Sequence, residues 1–288
     1  MTATVRIGTC SWADEGLLRA WYPRGVSTAE KRLRYYSERF DTVEVDSPYY
    51  ALPDPAVTAR WAQRTPDGFT FHVKASAAMT WHEGEPTDEA FRAFRAALEP
   101  LELSGKLRGV LLQYHPRFTK TREALAELER APARLAPLVP LVEFRHRSWM
   151  EEDERADTLG FLERHGLAYV SVDSPRTRAS NVMPRVAAAT HPVAYVRFHG
   201  RNTQTWNIRG ARSAADRFDW LYSPEELEEW VGPVQRLAQE AQEVYALFNN
   251  NRDDFAPRSA VTLRRLLDEA GVPAAGGVEL PPAEMTLF

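Results

Sequence analysis

The chain carries a single cysteine, Cys10, among 288 residues. That excludes an intramolecular disulfide and any zinc cage built from several thiolates. No stretch of about 18 apolar residues occurs, so no membrane-spanning helix is expected. The segment from Met1 to Ile7 enters a strand-like run without a basic stretch followed by an apolar one. No secretory leader is read from it, and the chain is expected to be soluble and cytoplasmic. Also missing are a Gly-rich phosphate loop of the Walker type, a Gly-x-Gly-x-x-Gly fingerprint, a Gly-x-Ser-x-Gly elbow and a His-Glu-x-x-His pair. A formal net charge of −4 argues against a protein that coats nucleic acid, although a local basic groove stays open. No Gly/Ser-rich linker divides the chain.

What the sequence does contain is a set of short runs in which apolar and polar residues alternate and which end in charged or amide side chains. They include Thr42-Val43-Glu44-Val45-Asp46, Phe71-His72-Val73-Lys74, Leu141-Val142-Glu143-Phe144-Arg145, Tyr195-Val196-Arg197-Phe198-His199 and Ala246-Leu247-Phe248-Asn249-Asn250. Alternation of period two marks strands whose side chains point to opposite faces. Eight strands are expected: Val5–Trp12, Thr42–Asp46, Phe69–Ser76, Gly109–Tyr114, Leu141–Arg145, Ala168–Asp173, Val193–Gly200 and Glu243–Asn250. Helical patterns fall between most of them, at Thr28–Arg39, Pro55–Arg64, Thr87–Leu103, Lys120–Leu135, Glu151–His165, Pro224–Gln242 and Pro257–Ala270. Asp54 before Pro55 and Ser223 before Pro224 are good helix starts. Only the segment from Arg176 to Pro192 lacks a helix pattern. Strand alternating with helix implies parallel pairing. Eight such units predict an α/β fold, a single (β/α)8 TIM-like barrel over residues 1–288, with an irregular C-terminal tail from about 272. Its length is close to the roughly 250 residues typical of that fold.

Several of these runs resemble one known family. Ile7-Gly8-Thr9-Cys10-Ser11-Trp12, Tyr22-Pro23, Thr42-Val43-Glu44-Val45-Asp46-Ser47 with Tyr49-Tyr50, and Val73-Lys74-Ala75 are similar to the YecE-like proteins. So are Glu143-Phe144-Arg145-His146 with Ser148-Trp149, Tyr195 to Arg201, and Phe248-Asn249-Asn250. The resemblance spans nearly the whole chain in order. It implies a TIM-like barrel and no established activity, the family being catalogued as domain of unknown function seventy-two. Two departures from the family pattern stand out. Cys10-Ser11-Trp12 replaces a commoner serine-glycine-tryptophan run, and Asp46-Ser47-Pro48 replaces an asparagine-led one, adding a negative charge at the second strand tip.

Strand tips are where α/β barrels build their sites. Parity places Glu44 and Asp46, His72, Lys74 and Ser76, Glu143 and Arg145, Ser171 and Asp173, and Tyr195, Arg197 and His199 in the lumen, with Gln113 and Asn249 as weaker assignments. The candidate catalytic residues are Glu44, Glu143 and His199. Candidate ligand-binding residues are Trp12, Asp46, Tyr50, Lys74, His82, Arg145, Asp173, Arg197, Arg201, Trp206 and Asn249. Two long loops, Ala77–Glu83 with Trp81 and His82, and Arg201–Asn207 with Trp206 and the following Arg209 and Arg212, would flank the mouth. Trp12, Tyr49, Tyr50, Trp81, Trp149 and Trp206 are all expected near it, and rings beside arginines suit a planar or sugar-like anionic ligand. Two explanations of the lumen charges stand side by side. Buried ions must pair, so the deeper residues can be a structural network; the outer ones, at the tips, can meet a ligand.

Three functions are compatible with these residues. The leading one is a metal-independent hydrolase or lyase acting on a polar, anionic small molecule or a nucleic-acid-derived fragment. Glu44 or Glu143 would be its general acid or base, and Arg145, Arg197 and Lys74 would hold negative charge, Arg197 as a ligand to an anion. The second is a non-catalytic binder of an anionic ligand or an RNA end. The third is a metal-dependent hydrolase or isomerase. Two lumen histidines, with cations competing for the carboxylates, speak against a metal, and no cofactor is expected. Cys10 reads as a core residue rather than a nucleophile.

Overall fold

The computed structural model describes residues 2–208 and 214–276. Eight parallel strands run β1 (Val5–Thr9), β2 (Thr42–Val45), β3 (Thr70–Lys74), β4 (Leu107–Gln113), β5 (Val139–Glu143), β6 (Ala168–Asp173), β7 (Val193–Phe198) and β8 (Glu243–Phe248). Each pairs with the next in sequence, and β8 pairs with β1 along its whole length. Closure comes from a single β1–β2 register, Thr9 against Val43. Gly8 permits it: a Cβ there would lie 2.4 Å from the Thr42 carbonyl oxygen, so any side chain would wedge the seam open. The fold is a TIM-like barrel, as the alternation of strand and helix predicts.

The helices are α1 (Glu15–Ala20), α2 (Ala29–Ser37), α3 (Pro55–Arg64), α4 (Asp88–Leu103), α5 (Arg122–Leu135), α6 (Arg155–Arg164), α7 (Ala214–Arg217), α8 (Pro224–Glu240) and α9 (Phe255–Glu269). Their starts are chemically set. Asp54 accepts from the Ala56 amide, Thr28 from that of Lys31, and Ser223 and Glu226 form a reciprocal capping box. The one-turn helices α1 and α7 are too short to show a period and went unread. No helix separates β6 from β7, as expected; instead Thr190 Oγ accepts from the Tyr169 amide and donates to the Leu167 carbonyl. Near the C-terminus, Ala274–Ala275 forms a ninth strand on β1 within the stretch read as irregular; residues 277–288 lie outside the described residues.

Two apolar layers hold the barrel. The outer, larger one lies between strands and helices and includes Tyr36, Phe71, Phe94, Trp149, Phe198 and Trp230. The inner one fills the lower lumen with Leu111, Leu141, Ala168, Val170, Val172, Tyr195, Tyr245 and Leu247, joined by Cys10. At about 1.5–3 kcal/mol for each large side chain fully buried, these layers carry most of the drive to fold. The polar residues of the upper lumen must therefore be accommodated on a dry floor.

Candidate functional site at the barrel mouth

Register decides which side chains share the lumen. Glu44 pairs with His72 across β2–β3, Gln113 with Glu143 across β4–β5, and Val172 with Arg197 across β6–β7. Neighbours in register point to the same face. Glu44, His72, Gln113, Glu143 and Arg197 consequently face inward, together with Arg145, His199 and Asn249 just beyond their strands.

Arg197 is the hub. Wholly buried, it donates through Nη1 to Glu143 (2.6 Å) and to Gln113 Oε1 (3.2 Å), and through Nη2 to Glu44 (2.5 Å). The Tyr195 hydroxyl donates to the other Glu44 oxygen at 2.8 Å. Glu143 also meets Arg145 Nε at 2.5 Å, a close ionic contact without hydrogen-bond alignment, and His199 Nε2 at 3.2 Å. Asn249 Nδ2 lies 2.9 Å from His199 Nδ1. His199 Nε2, besides facing Glu143, lies 3.1 Å from Arg145 Nη2.

The two buried glutamates share one guanidinium but differ in charge preference. Burial raises Glu44 to about 7; Arg197 offsets this only in part, and Asp46 adds to it. Burial also opposes ionisation of Glu143. There the positive fields of Arg145 and Arg197, and the contact with His199, outweigh it and hold the carboxyl well below the usual range. Burial, helped by Arg145, lowers His199 to about 3. His72 is lowered to about 3 by burial, wedged between the Tyr195 and Tyr245 rings. Both histidines are therefore neutral at ordinary pH.

Above β1–β3 the mouth is different. Lys74, partly exposed, ends β3 with its ammonium 4.2 Å from the centre of the Tyr49 ring. Burial, then the repulsion of Arg197 and Arg145, lowers its pKa, while Asp46 pulls the other way. Tyr49 stacks edge-on with Tyr50 and with His82, which touches His115. Burial, followed by His115 and Lys74, lowers His82 to about 4. Asp14, on the loop after β1, is raised to about 6 by burial and by the Asp46 carboxylate, against hydrogen bonds from Asn251 and Ser11.

A family model described as "Protein of unknown function DUF72" matches residues 6–283. The chain belongs to the DUF72 family. It is 33% identical over 291 residues to UPF0759 protein YunF of Bacillus subtilis strain 168, spanning 99% of this chain and all of that protein. UPF0759 protein YecE of Escherichia coli K12 is 27% identical over 210 residues, 67% of this chain and 75% of that one. Among solved structures, a DUF72 protein from Thermotoga maritima MSB8 superposes with a TM-score of 0.80 at 31% identity, covering 92% of this chain and 99% of its own. One from Enterococcus faecalis V583 gives 0.80 at 27%, covering 92% and 96%.

Within this DUF72 barrel several residues expected at the mouth lie elsewhere. Asp173 and Ser171 do not face the lumen: Asp173 is in register with the outward Phe198, and the inward positions of β6 are Ala168, Val170 and Val172. Asp173 accepts from both sides of the Arg201 fork (2.9 and 2.8 Å), from the Tyr222 hydroxyl (2.7 Å) and from Trp230 Nε1 (2.6 Å). It ties β6 to the β7 loop and α8, and Arg201 is held with it. Trp12 is buried edge-on against Trp61 and Phe71 in the outer layer, because the chain turns away from the lumen after Cys10. Trp149 stacks on Phe144 in that same layer. Trp81 leans on Phe118.

Trp206 is buried against Phe218 and roofs His199, with Arg145 over its ring. Tyr50 is 78% exposed and is the one large ring standing free at the rim among the described residues. Arg209 and Arg212 lie outside the described residues. Arg197, expected as an anion ligand, is instead enclosed by two carboxylates and an amide. Cys10 is buried beside Arg197 and Glu44, and burial pushes its thiol well up, so it is no ready nucleophile. Sequence reasoning missed Asp14. The available signal was its place in the loop directly after the first strand tip.

Among the described residues no group of three or more His, Cys, Asp or Glu side chains is arranged to hold a metal ion. The guanidinium of Arg197 stands between the two deepest carboxylates, where a cation would have to sit. Nor is any helix among the described residues long and apolar enough to cross a membrane.

Proposed function

We propose that the protein is an enzyme working at the β1–β3 side of its barrel mouth, where it carries out metal-independent proton-transfer chemistry on a small anionic molecule. A hydrolase or lyase is the natural class. The observation that carries this is a cation left open at the mouth: Lys74 lies against the Tyr49 ring and meets no carboxylate among the described residues, and burial raises Asp14 beside the same mouth to about 6. Groups that give and take protons near neutral pH are what acid–base catalysis needs.

In this reading Asp14, partly exposed, exchanges protons with the substrate, and Lys74 and Arg145 hold its anionic group. Arg145 reaches the mouth with Nη1 meeting no acceptor among the described residues. Glu44, Arg197, Glu143 and His199 lie beneath as a buried floor that positions Arg145. A purely structural network would explain Arg197 and Glu143. It gives no reason for Lys74, which meets no carboxylate among the described residues. The test is a thermal melt with phosphate titrated against wild type and Lys74→Met. Phosphate should stabilise the wild type and leave the variant's melting temperature nearly unmoved; equal stabilisation of both would overturn the assignment of the anion site.

A further inference from the structure

Positive charge in this chain is almost all arginine: 32 arginines against four lysines, Lys31, Lys74, Lys106 and Lys120. Three of the four are engaged. Lys31 Nζ donates to the Gly25 carbonyl at 3.1 Å, and Lys106 to those of Ala62 and Thr65, both at 2.7 Å. Lys120 holds Glu154 and Asp157 at 2.6 and 2.8 Å. Lys74 alone has neither a hydrogen-bond acceptor nor a carboxylate partner among the described residues; its ammonium lies over the face of Tyr49. An arginine at that place would be permanently charged, whereas a lysine can present a neutral amine.

Resting on the mouth reading above, we propose that Lys74 is a nucleophile that forms a Schiff base with a small aldehyde or ketone bearing a carboxylate or phosphate group. The amine nitrogen of Lys74 attacks the carbonyl carbon, the carbonyl oxygen takes a proton from a carboxylic acid of the mouth, Asp14, and the nitrogen returns its extra proton to that carboxylate, leaving a neutral carbinolamine. Loss of the hydroxyl as water, with a second proton, leaves a protonated imine. The step is redox-neutral and needs no co-reactant. The imine then accepts the electron pair released when a neighbouring carbon–carbon or carbon–hydrogen bond breaks, which narrows the reaction class to a lyase or an isomerase of carbonyl compounds.

Four features of the mouth suit this chemistry. Burial and the two nearby guanidiniums favour the neutral amine at Lys74. Nη1 of Arg145 is available for the anionic group. Asp14, raised toward neutrality, can deliver the proton that turns hydroxyl into water. The Tyr49 face can hold the cationic imine as it holds the ammonium.

The test is reductive trapping. Wild-type protein is incubated near pH 7 with pyruvate or, separately, dihydroxyacetone phosphate and cyanoborohydride, then digested and mapped by mass spectrometry. Four lysines make the map unambiguous. With at least one probe, the reduced adduct should sit predominantly on Lys74, since a lowered pKa exposes more free amine. Lys74→Arg, checked for folding by its melt, should lose that adduct. Labelling of Lys74 no greater than that of Lys31 with both probes overturns the proposal. If phosphate still stabilises the wild type through Lys74, the imine falls and the anion site stands; if neither is seen, both fall.

Discussion

The lumen of this barrel has two unlike sides. Toward β5–β7, the Arg197 fork meets Glu143, Gln113 and Glu44, Glu143 meets Arg145 and His199, and Asn249 fixes His199. Those side chains are nearly or wholly buried, and their charges answer one another. Above β1–β3, Lys74 faces a ring rather than a carboxylate, and Asp14 is pushed toward neutrality. A buried ion that lost its partner would destabilise the fold, so the first side is closed by necessity. The second side keeps incomplete pairing only where solvent or a ligand can complete it. Charge in a barrel lumen is thus no guide to a site; incomplete pairing at its mouth is.

The strongest way to break this contrast is to remove its hub. Arg197→Met leaves Glu44 and Glu143 buried without their shared cation and should cost about 3–5 kcal/mol. Chemical denaturation checks this, and a loss under about 1 kcal/mol would mean that the network is not structural.

Glu44 sharpens the contrast through pH. Its folded pKa, about 7, lies above its ordinary 4.5. A raised carboxyl favours folding fully below pH 4.5, and that contribution is lost as pH rises through about 7. Glu44→Gln mimics the protonated form and should therefore match wild type near pH 4.5 and exceed it at pH 8. The gain is on the order of 3–3.5 kcal/mol, at about 1.4 kcal/mol per pKa unit. His72 and His199, lowered to about 3, pull the other way: they favour folding above pH 6.5, and that contribution fades as pH falls. The difference between the two proteins is therefore the quantity to measure. A pH-independent difference would remove Glu44 from the proton inventory.

Asp173→Asn tests whether the cluster between β6 and α8 belongs to the structure alone. Loss of its charge-assisted bonds to Arg201 should cost about 1.5–3 kcal/mol, with phosphate stabilisation unchanged. A selective loss of phosphate binding would restore Asp173 to the site. The smallest effect on stability is expected at Lys74. Lys74→Met gives up one ammonium–ring contact, about 0.5–1 kcal/mol, and should melt close to wild type.

All eight barrel strands and seven of the nine α-helices among the described residues were legible in the sequence, because strand tips, caps and alternation are local signals. Parity succeeded at β2, β3, β5 and β7, where Val43, Val45, Phe71, Val73, Val142, Phe144, Val196 and Phe198 mark the helix-facing side. It failed at β6. There Val170 and Val172 fill the lumen, while Asp173 finds Arg201, Tyr222 and Trp230 in the outer layer, partners distant in sequence. Both faces of a barrel strand are buried, so a polar residue need not point inward when the outer layer can satisfy it. Aromatic rings misled for a related reason: Trp12 and Trp149 sit near strand tips in sequence, but their large apolar surface is satisfied only between strands and helices. Which of two lumen cations is paired and which is open depends on distances that no spacing rule supplies.

The most direct test of the central claim reads the lysine side chains themselves. With carbon-13 lysine in a chain holding only four, each ε-methylene resonance can be followed by NMR as phosphate is added. The account predicts a saturable shift of the Lys74 signal while Lys31, Lys106 and Lys120 stay still. A silent Lys74, or four signals drifting together with ionic strength, would contradict it.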